Sequence, residues 1–406
     1  MIKAPTTRAE ALQRDAADPL ADRAALFDLP DGVTYLVGHS LGPPPKGARD
    51  RLAGAQADWA GDLVRSWNSA GWIDLAERTG DRLASLIGAQ PGEVIVADSV
   101  SVNLFKLAAA ALPQAKTYAL FVEEDEFPTD QYIAAGLGGL SGAEVRLLAP
   151  GGSFGALTAG GVVIKSAVNY RSSEVADIAA HEREARRHGA LIIWDLSHAT
   201  GVLDLKLAAD GAVLAAGCTY KYLNGGPGAP AFVFVSGELS PKLANPLPGW
   251  MGHAAPFAFD GRYVPRDGVA RFASGTPPIL SLAALSGALE AIEGAGLGQL
   301  QAKARALGAL AVARAQAMGL DVLSPVEDGR RGGHVSLRIA DGYPVVQALA
   351  ARGVMADFRA PDTVRFGFSP LFLSYQAAWN AMAALAEILE SRSWDQPQFR
   401  ARAKVT

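Results

Sequence analysis

A lysine flanked by two tyrosines, Tyr220-Lys221-Tyr222, stands between a short apolar run at 212–216 and the glycine- and proline-rich stretch 224–230. Upstream, the apolar run 190–193 ends in Trp194-Asp195-Leu196-Ser197-His198. Both runs read as buried strands, so the acid falls at one strand end and the lysine just after the next. An amine and a carboxylate so placed are the two groups that a pyridoxal phosphate (PLP) enzyme needs. The amine forms a Schiff base, and the acid keeps the pyridinium nitrogen protonated so that the ring accepts electrons. Taken alone, the two residues leave the commoner roles open, a solvated lysine and a turn-forming aspartate.

Strand, helix and strand alternate from 94 to 235, which predicts an α/β fold with a mainly parallel, doubly wound sheet. Strands are expected at 94–97, 117–122, 145–148, 162–166, 190–194 and 212–216. In such a sheet, active residues collect at the carboxyl ends of the strands, where Ser101, Phe127, Asp195 and Lys221 all fall. The hydroxyl residues Ser99 and Ser101 precede an apolar helix at about 104–112. Free backbone N–H groups and the helix dipole suit a phosphate there, and either serine would also serve as an N-cap. Ser173 or Ser172 is expected to cap a helix that runs to Gly189.

Outside that block, an amphipathic helix is expected over 7–27, a strand over 33–37, a stiff loop over 38–45, and helices over 46–62 and 73–88. From Ile279 the composition shifts to alanine-rich helices at 279–293 and 296–318. A strand at 335–339, a helix at 343–352, a hairpin of 354–358 with 364–368 and a helix at 374–391 follow, with a frayed tail from Ser393. The expected organisation is an N-terminal segment (1–45) contributing to the active site or small domain, a large PLP-binding domain (46–278) and a small α+β C-terminal domain (279–406). Arg365 alternates with apolar residues on one of these strands, a pattern that usually marks a solvated side chain. A guanidinium is nonetheless the natural clamp for an amino-acid α-carboxylate.

The chain has 406 residues, 50% hydrophobic and 19% charged, with a net charge of −4. That suits a soluble globular enzyme, and nothing favours nucleic acid or an anionic membrane as partner. A single cysteine, Cys218, excludes an internal disulfide framework and a cysteine-based zinc cluster. The first twenty residues interleave acids with bases, unlike a secretory signal, and no run reaches the roughly 18 apolar residues of a spanning helix. A cytoplasmic protein is expected.

The strings WDLSHATG (194–201) and CTYKYLNGGPGAPAFVFV (218–235) resemble kynureninase, a family of the fold-type-I PLP superfamily. GWMGH (249–253) and the turn Gly275-Thr276-Pro277-Pro278 extend the resemblance, which continues more thinly from the His39 loop to the end of the final helix. Kynureninases hydrolyse L-kynurenine, or its 3-hydroxy form, to anthranilate, or its hydroxy form, and L-alanine. The resemblance implies that Lys221 binds PLP and shuttles the α-proton, and that Asp195 pairs with the pyridine nitrogen. It places His198 to orient Asp195 or cap the cofactor's edge, and Tyr220 to contact the phosphate and take part in proton transfer. Val100 and Ser101 would hold the phosphate, Phe127 would stack on the ring, and Asp130 would lie beside it. Trp250 and Thr276 would reach the phosphate from the neighbouring subunit of a homodimer, and Arg365 would bind the substrate carboxylate. The loop carrying His39 and Ser40 would lie close to the substrate, with His39 standing where the family usually has Asn.

Three other readings remain at this level. A kynureninase-like lyase or hydrolase with another amino-acid substrate is suggested by His39. A cysteine desulfurase or selenocysteine lyase would need a thiol on a mobile loop opposite the cofactor, whereas Cys218, the single cysteine, lies three residues before Lys221. A non-catalytic dimeric scaffold would have no reason to keep Lys221, Asp195 and Arg365 together.

Overall fold

Continuous apolar runs become the strands of one central sheet because both of its faces are covered by helices. The computed structural model describes residues 2–402. In chain order its strands are β1 (Thr34–Tyr35), β2 (Val94–Val96), β3 (Ala119–Glu123), β4 (Glu144–Leu148), β5 (Val162–Ser166), β6 (Leu191–Asp195), β7 (Leu214–Gly217) and β8 (Phe232–Val235). The C-terminal part adds β9 (Asp321–Val322), β10 (His334–Arg338), β11 (Val354–Met355), β12 (Asp357–Arg359) and β13 (Thr363–Gly367).

Among the described residues, the large sheet has the order β2-β8-β7-β6-β5-β3-β4. Strands β3 to β7 pair in parallel, and β8 is antiparallel to both of its neighbours. It follows that β2 runs with the parallel set and β8 alone runs against it. One edge of the sheet therefore gathers the carboxyl ends of β2, β3, β5, β6 and β7. Helices Val100–Ala111 and Pro128–Ser141 pack on one face through Leu104, Leu107 and Leu137, against Ile95, Val122 and Ile193. The second face meets the larger core, in which Leu83, Leu285 and Leu307 come from helices Leu75–Ile87, Ile279–Leu289 and Leu297–Ala317.

The C-terminal strands form an antiparallel sheet, β12-β13-β10-β9. The N-terminal segment is tied to this block: β1 pairs in parallel with β11. The carboxylate of Asp15 also caps helix Tyr375–Ser391, accepting from the N–H groups of Tyr375 at 2.6 Å and Gln376 at 2.9 Å. Asp15 thus supplements the ordinary N-cap, Ser374.

Four expectations need correction. The helix expected over 7–27 is two pieces, Arg8–Ala16 and the 3-10 turns Ala21–Leu26; Pro19 lies between them and cannot continue the ladder. Ser173 does not cap the helix that ends before Gly189. It has φ +66°, and the helix Ile178–His188 starts later, with Asp177 accepting from Ala180 N–H at 2.9 Å. The run 354–358 is not one hairpin arm: its first part pairs with β1, and only Asp357–Arg359 pairs with β13. The tail is ordered through a short helix, Pro397–Arg400, with Trp394 buried, while 403–406 lie outside the described residues.

Candidate active site

The turn after β7 is fixed from three sides. Gly225 N–H donates to Thr219 O at 2.8 Å, Asn224 N–H donates to Lys221 O at 2.9 Å, and Thr219 Oγ1 donates to Pro230 O at 2.6 Å. Asn224, Gly226 and Gly228 have φ of +57°, +93° and +73°, which is why the stretch needs Asn and Gly. Lys221 emerges from this turn into a cleft of about 290 Å³, close to the size of ordinary small-ligand pockets. Its Nζ lies 5.9 Å from the centre of the Tyr220 ring.

Asp195 ends β6 level with Ser166 of β5 and Ala216 of β7, and its Oδ1 accepts from Ser197 N–H at 2.8 Å. Across the cleft, helix Val100–Ala111 presents its first turn, whose N–H groups have no intrahelical acceptor. Ser99 is the N-cap, accepting from Val102 N–H, and Val100 and Ser101 line the cleft. Phe127 lines it too, edge-on to Tyr170 with ring centres 5.3 Å apart. Asp130 is buried beside Asp195. Burial, then repulsion from Asp195 and Glu126, raises its carboxyl well above the usual range, and its Oδ2 has no hydrogen-bond partner among the described residues. His198 is driven the other way: burial, reinforced by Lys221, keeps its ring neutral. Burial raises the Tyr220 hydroxyl, with Cys218 and Asp195 adding to the shift, so it is a protonated donor at neutral pH.

Lys221, Tyr220, Asp195, His198, Val100, Ser101, Phe127 and Asp130 all line this one cleft. The remaining candidates lie elsewhere. Thr276 and Trp250 are exposed, and neither lines this cleft; Thr276 borders a neighbouring hollow on the far side of Asp98. Ser40 is half-buried in the N-terminal loop. His39 and Arg365 are buried and do not line the cleft. Arg365 is fully engaged on one side: Nε donates to Asp357 Oδ1 at 2.8 Å, Nη2 to Asp357 Oδ2 at 2.5 Å, and Nη1 to Tyr170 O at 2.6 Å. Burial opposes charge on Asp357, but His39 and Arg365 outweigh it and hold the carboxyl far below its ordinary range.

Sequence reasoning missed Tyr170, Asp357, His334 and Lys106. The hairpin register carried one usable signal, since Asp357 stands directly across from Arg365. Lys106 is completely buried, pairs with Asp98 and donates to Phe272 O at 2.6 Å, tying the helix start to the segment before Thr276. Among the described residues no cluster of His, Cys, Asp and Glu is arranged to hold a metal, and no helix is long and apolar enough to cross a membrane.

A parallel sheet with a strand-end acid, a lysine turn and a capped helix start around one cleft defines a fold-type-I PLP-dependent enzyme. The donor set fits the cofactor, with the helix start at Val100 and Ser101 for its phosphate and an orphaned buried carboxyl oxygen on Asp130 beside Asp195. The chain belongs to the kynureninase family. A family model described as the kynureninase C-terminal domain matches residues 300–385. The chain is 44% identical to a kynureninase of Pseudomonas fluorescens over 99% of its own length and 100% of that protein. It is 42% identical to one of Burkholderia pseudomallei strain 1106a, covering 98% and 100%. Among solved structures, a cysteine desulfurase of Thermococcus onnurineus NA1 superposes with TM-score 0.77 at 17% identity, covering 96% of this chain and 100% of that one. The cystine C–S lyase C-DES, in complex with cysteine persulfide, gives 0.78 at 16%, covering 88% and 98%. At such identities these two likenesses establish the fold alone. Cys218 is buried beside Ser197, so the mobile thiol that a desulfurase needs is not provided by it.

Proposed function

We propose that this chain hydrolyses L-kynurenine, or its 3-hydroxy form, to anthranilate, or 3-hydroxyanthranilate, and L-alanine. The observation that carries the reading is the convergence of Lys221, Asp195 and the Val100–Ser101 helix start on one cleft. When bound, PLP supplies the electron sink that lets the substrate's α-proton leave.

In this reading Lys221 anchors the cofactor through Nζ and then moves the proton at Cα. Asp195, its orientation set by the Ser197 N–H, would pair with the pyridine nitrogen. Val100 and Ser101 would hold the phosphate, and Phe127 would stack on the ring. In the hydrolysis, the oxygen of a water molecule bonds to the γ-carbonyl carbon and the Cβ–Cγ bond breaks. The bonding pair stays on Cβ, which takes up a proton, and the proton released by the water restores the donor. The protonated Tyr220 hydroxyl suits that delivery. Arg365 uses three of its five N–H bonds on Asp357 and Tyr170, leaving two for the α-carboxylate.

The exposed Trp250 and Thr276 fit a homodimer in which each subunit completes its partner's phosphate site. The exposed aromatic rings of Phe257 and Phe259 near Trp250 support a covered face there. A cytoplasmic location suits a chain whose single cysteine is a buried free thiol. Chromatographic analysis of PLP-loaded protein tests the reaction. Equal amounts of aromatic acid and alanine should appear from kynurenine or its 3-hydroxy form, and the faster substrate defines the ring preference. Consumption of neither would reject the substrate class.

A further inference from the structure

Behind the cleft, the imidazoles of His39 and His334 pack against His198, which lines it. His39 stacks on His334 with ring centres 5.1 Å apart and planes 16° from parallel, while His198 lies 6.2 Å from His39 and 5.5 Å from His334. His39 and His334 are both fully buried. The position of His39 is over-determined: a Cβ on Gly367 would fall 2.1 Å from its Nδ1, so only glycine on β13 leaves room for the ring. His334 stands opposite that same Gly367 in the β10–β13 ladder. The stack and the missing side chain together point one edge of His39 at Asp357, with Nε2 3.5 Å from Oδ2. That is within ion-pair reach but longer than a hydrogen bond, and neither nitrogen of His39 has a hydrogen-bond partner among the described residues. Asp357 in turn grips Arg365 side-on.

We propose that His39 is a positioning residue: stacked on His334, it steers the Asp357 carboxylate, and through it sets the orientation in which Arg365 meets the substrate's carboxylate. The inference rests on the reading of Arg365 as the carboxylate clamp. It assigns His39 no contact with the substrate's aromatic ring. Burial pushes the His39 ring down to about 4, so at neutral pH it faces Asp357 uncharged. It can aim Asp357 without competing with Arg365 for its charge.

The test compares L-alanine, which carries the carboxylate, with ethylamine, which lacks it, as ligands of PLP-loaded protein. Binding of both is read from the cofactor's visible spectrum, with thermal melting to verify folding. His39→Leu, which removes the polar edge facing Asp357, should weaken L-alanine by about tenfold and leave ethylamine unaffected. His39→Gln, which restores a polar group of similar reach, should recover most of the L-alanine affinity. Unchanged L-alanine binding in His39→Leu, or an equal loss for ethylamine, overturns the proposal. Arg365→Lys separates the two layers. If it spares L-alanine relative to ethylamine, the clamp reading itself fails. If it weakens L-alanine while His39→Leu does not, only the role of His39 fails. Should His39→Leu not fold, His39→Ala is read by the same two outcomes.

Discussion

The backbone N–H of Gly42 donates to the carbonyl oxygen of Tyr220 at 2.7 Å, joining the N-terminal loop to the lysine turn. The approach is too close for any side chain, because a Cβ on Gly42 would fall 2.3 Å from both Lys221 O and Asn224 Oδ1. Gly42→Ala should therefore push the two loops apart, costing about 1–3 kcal/mol of stability and misaligning Lys221. A lowered melting temperature together with slower Schiff-base formation on adding PLP is the expected result.

Lys106 sits fully buried between Asp98 and the Phe272 carbonyl. Lys106→Met should leave the partly exposed Asp98 unpaired before the helix start, destabilise the fold by about 1–3 kcal/mol and weaken PLP retention. Adding Asp98→Asn removes the stranded charge and should recover part of the stability, measured by chemical denaturation.

Arg365→Lys removes the planar fork that Asp357 and Tyr170 orient. We expect kcat/KM for kynurenine to fall about a hundredfold, roughly 2.7 kcal/mol of transition-state binding. The visible spectrum of the bound cofactor should be preserved, since Arg365 does not line the cleft around Lys221.

Glu182 accepts from Trp194 Nε1 at 2.7 Å, and burial pushes its carboxyl from 4.5 up to about 7. The folded chain thus holds this proton more tightly than the unfolded one. The stabilisation is fully present below pH 4.5 and is lost as the pH rises through about 7, a span of about 3 kcal/mol. Glu182→Gln, which can still accept from Trp194, should gain stability relative to the parent at about pH 8.5 compared with about pH 5. An equal difference at both values would contradict the assignment.

The part of the site that lies on the parallel sheet was legible in the sequence. Strand ends fix where Ser101, Phe127, Asp195 and Lys221 must fall, since a doubly wound sheet presents them on one edge. What was not legible depends on contacts between distant segments. The 354–358 run reads as a single strand, but a two-residue strand from the N-terminus, β1, takes its first half. Arg365 reads as a ligand clamp, yet its partnership with Asp357 appears only once the hairpin register is known. His39 reads as a loop residue near the substrate, whereas the space over Gly367 draws it into the core. Asp177 displaces Ser173 as a cap because Ser173 takes a left-handed backbone conformation in the loop before the helix.

The central claim is that Lys221 carries the cofactor that breaks a carbon–carbon bond of kynurenine. Its most direct test is anthranilate fluorescence on adding L-kynurenine to PLP-loaded protein, run beside Lys221→Ala. Growth of fluorescence in the parent and none in the variant is the result predicted here. Equal fluorescence from both proteins, or none from a parent that holds PLP, would contradict the account.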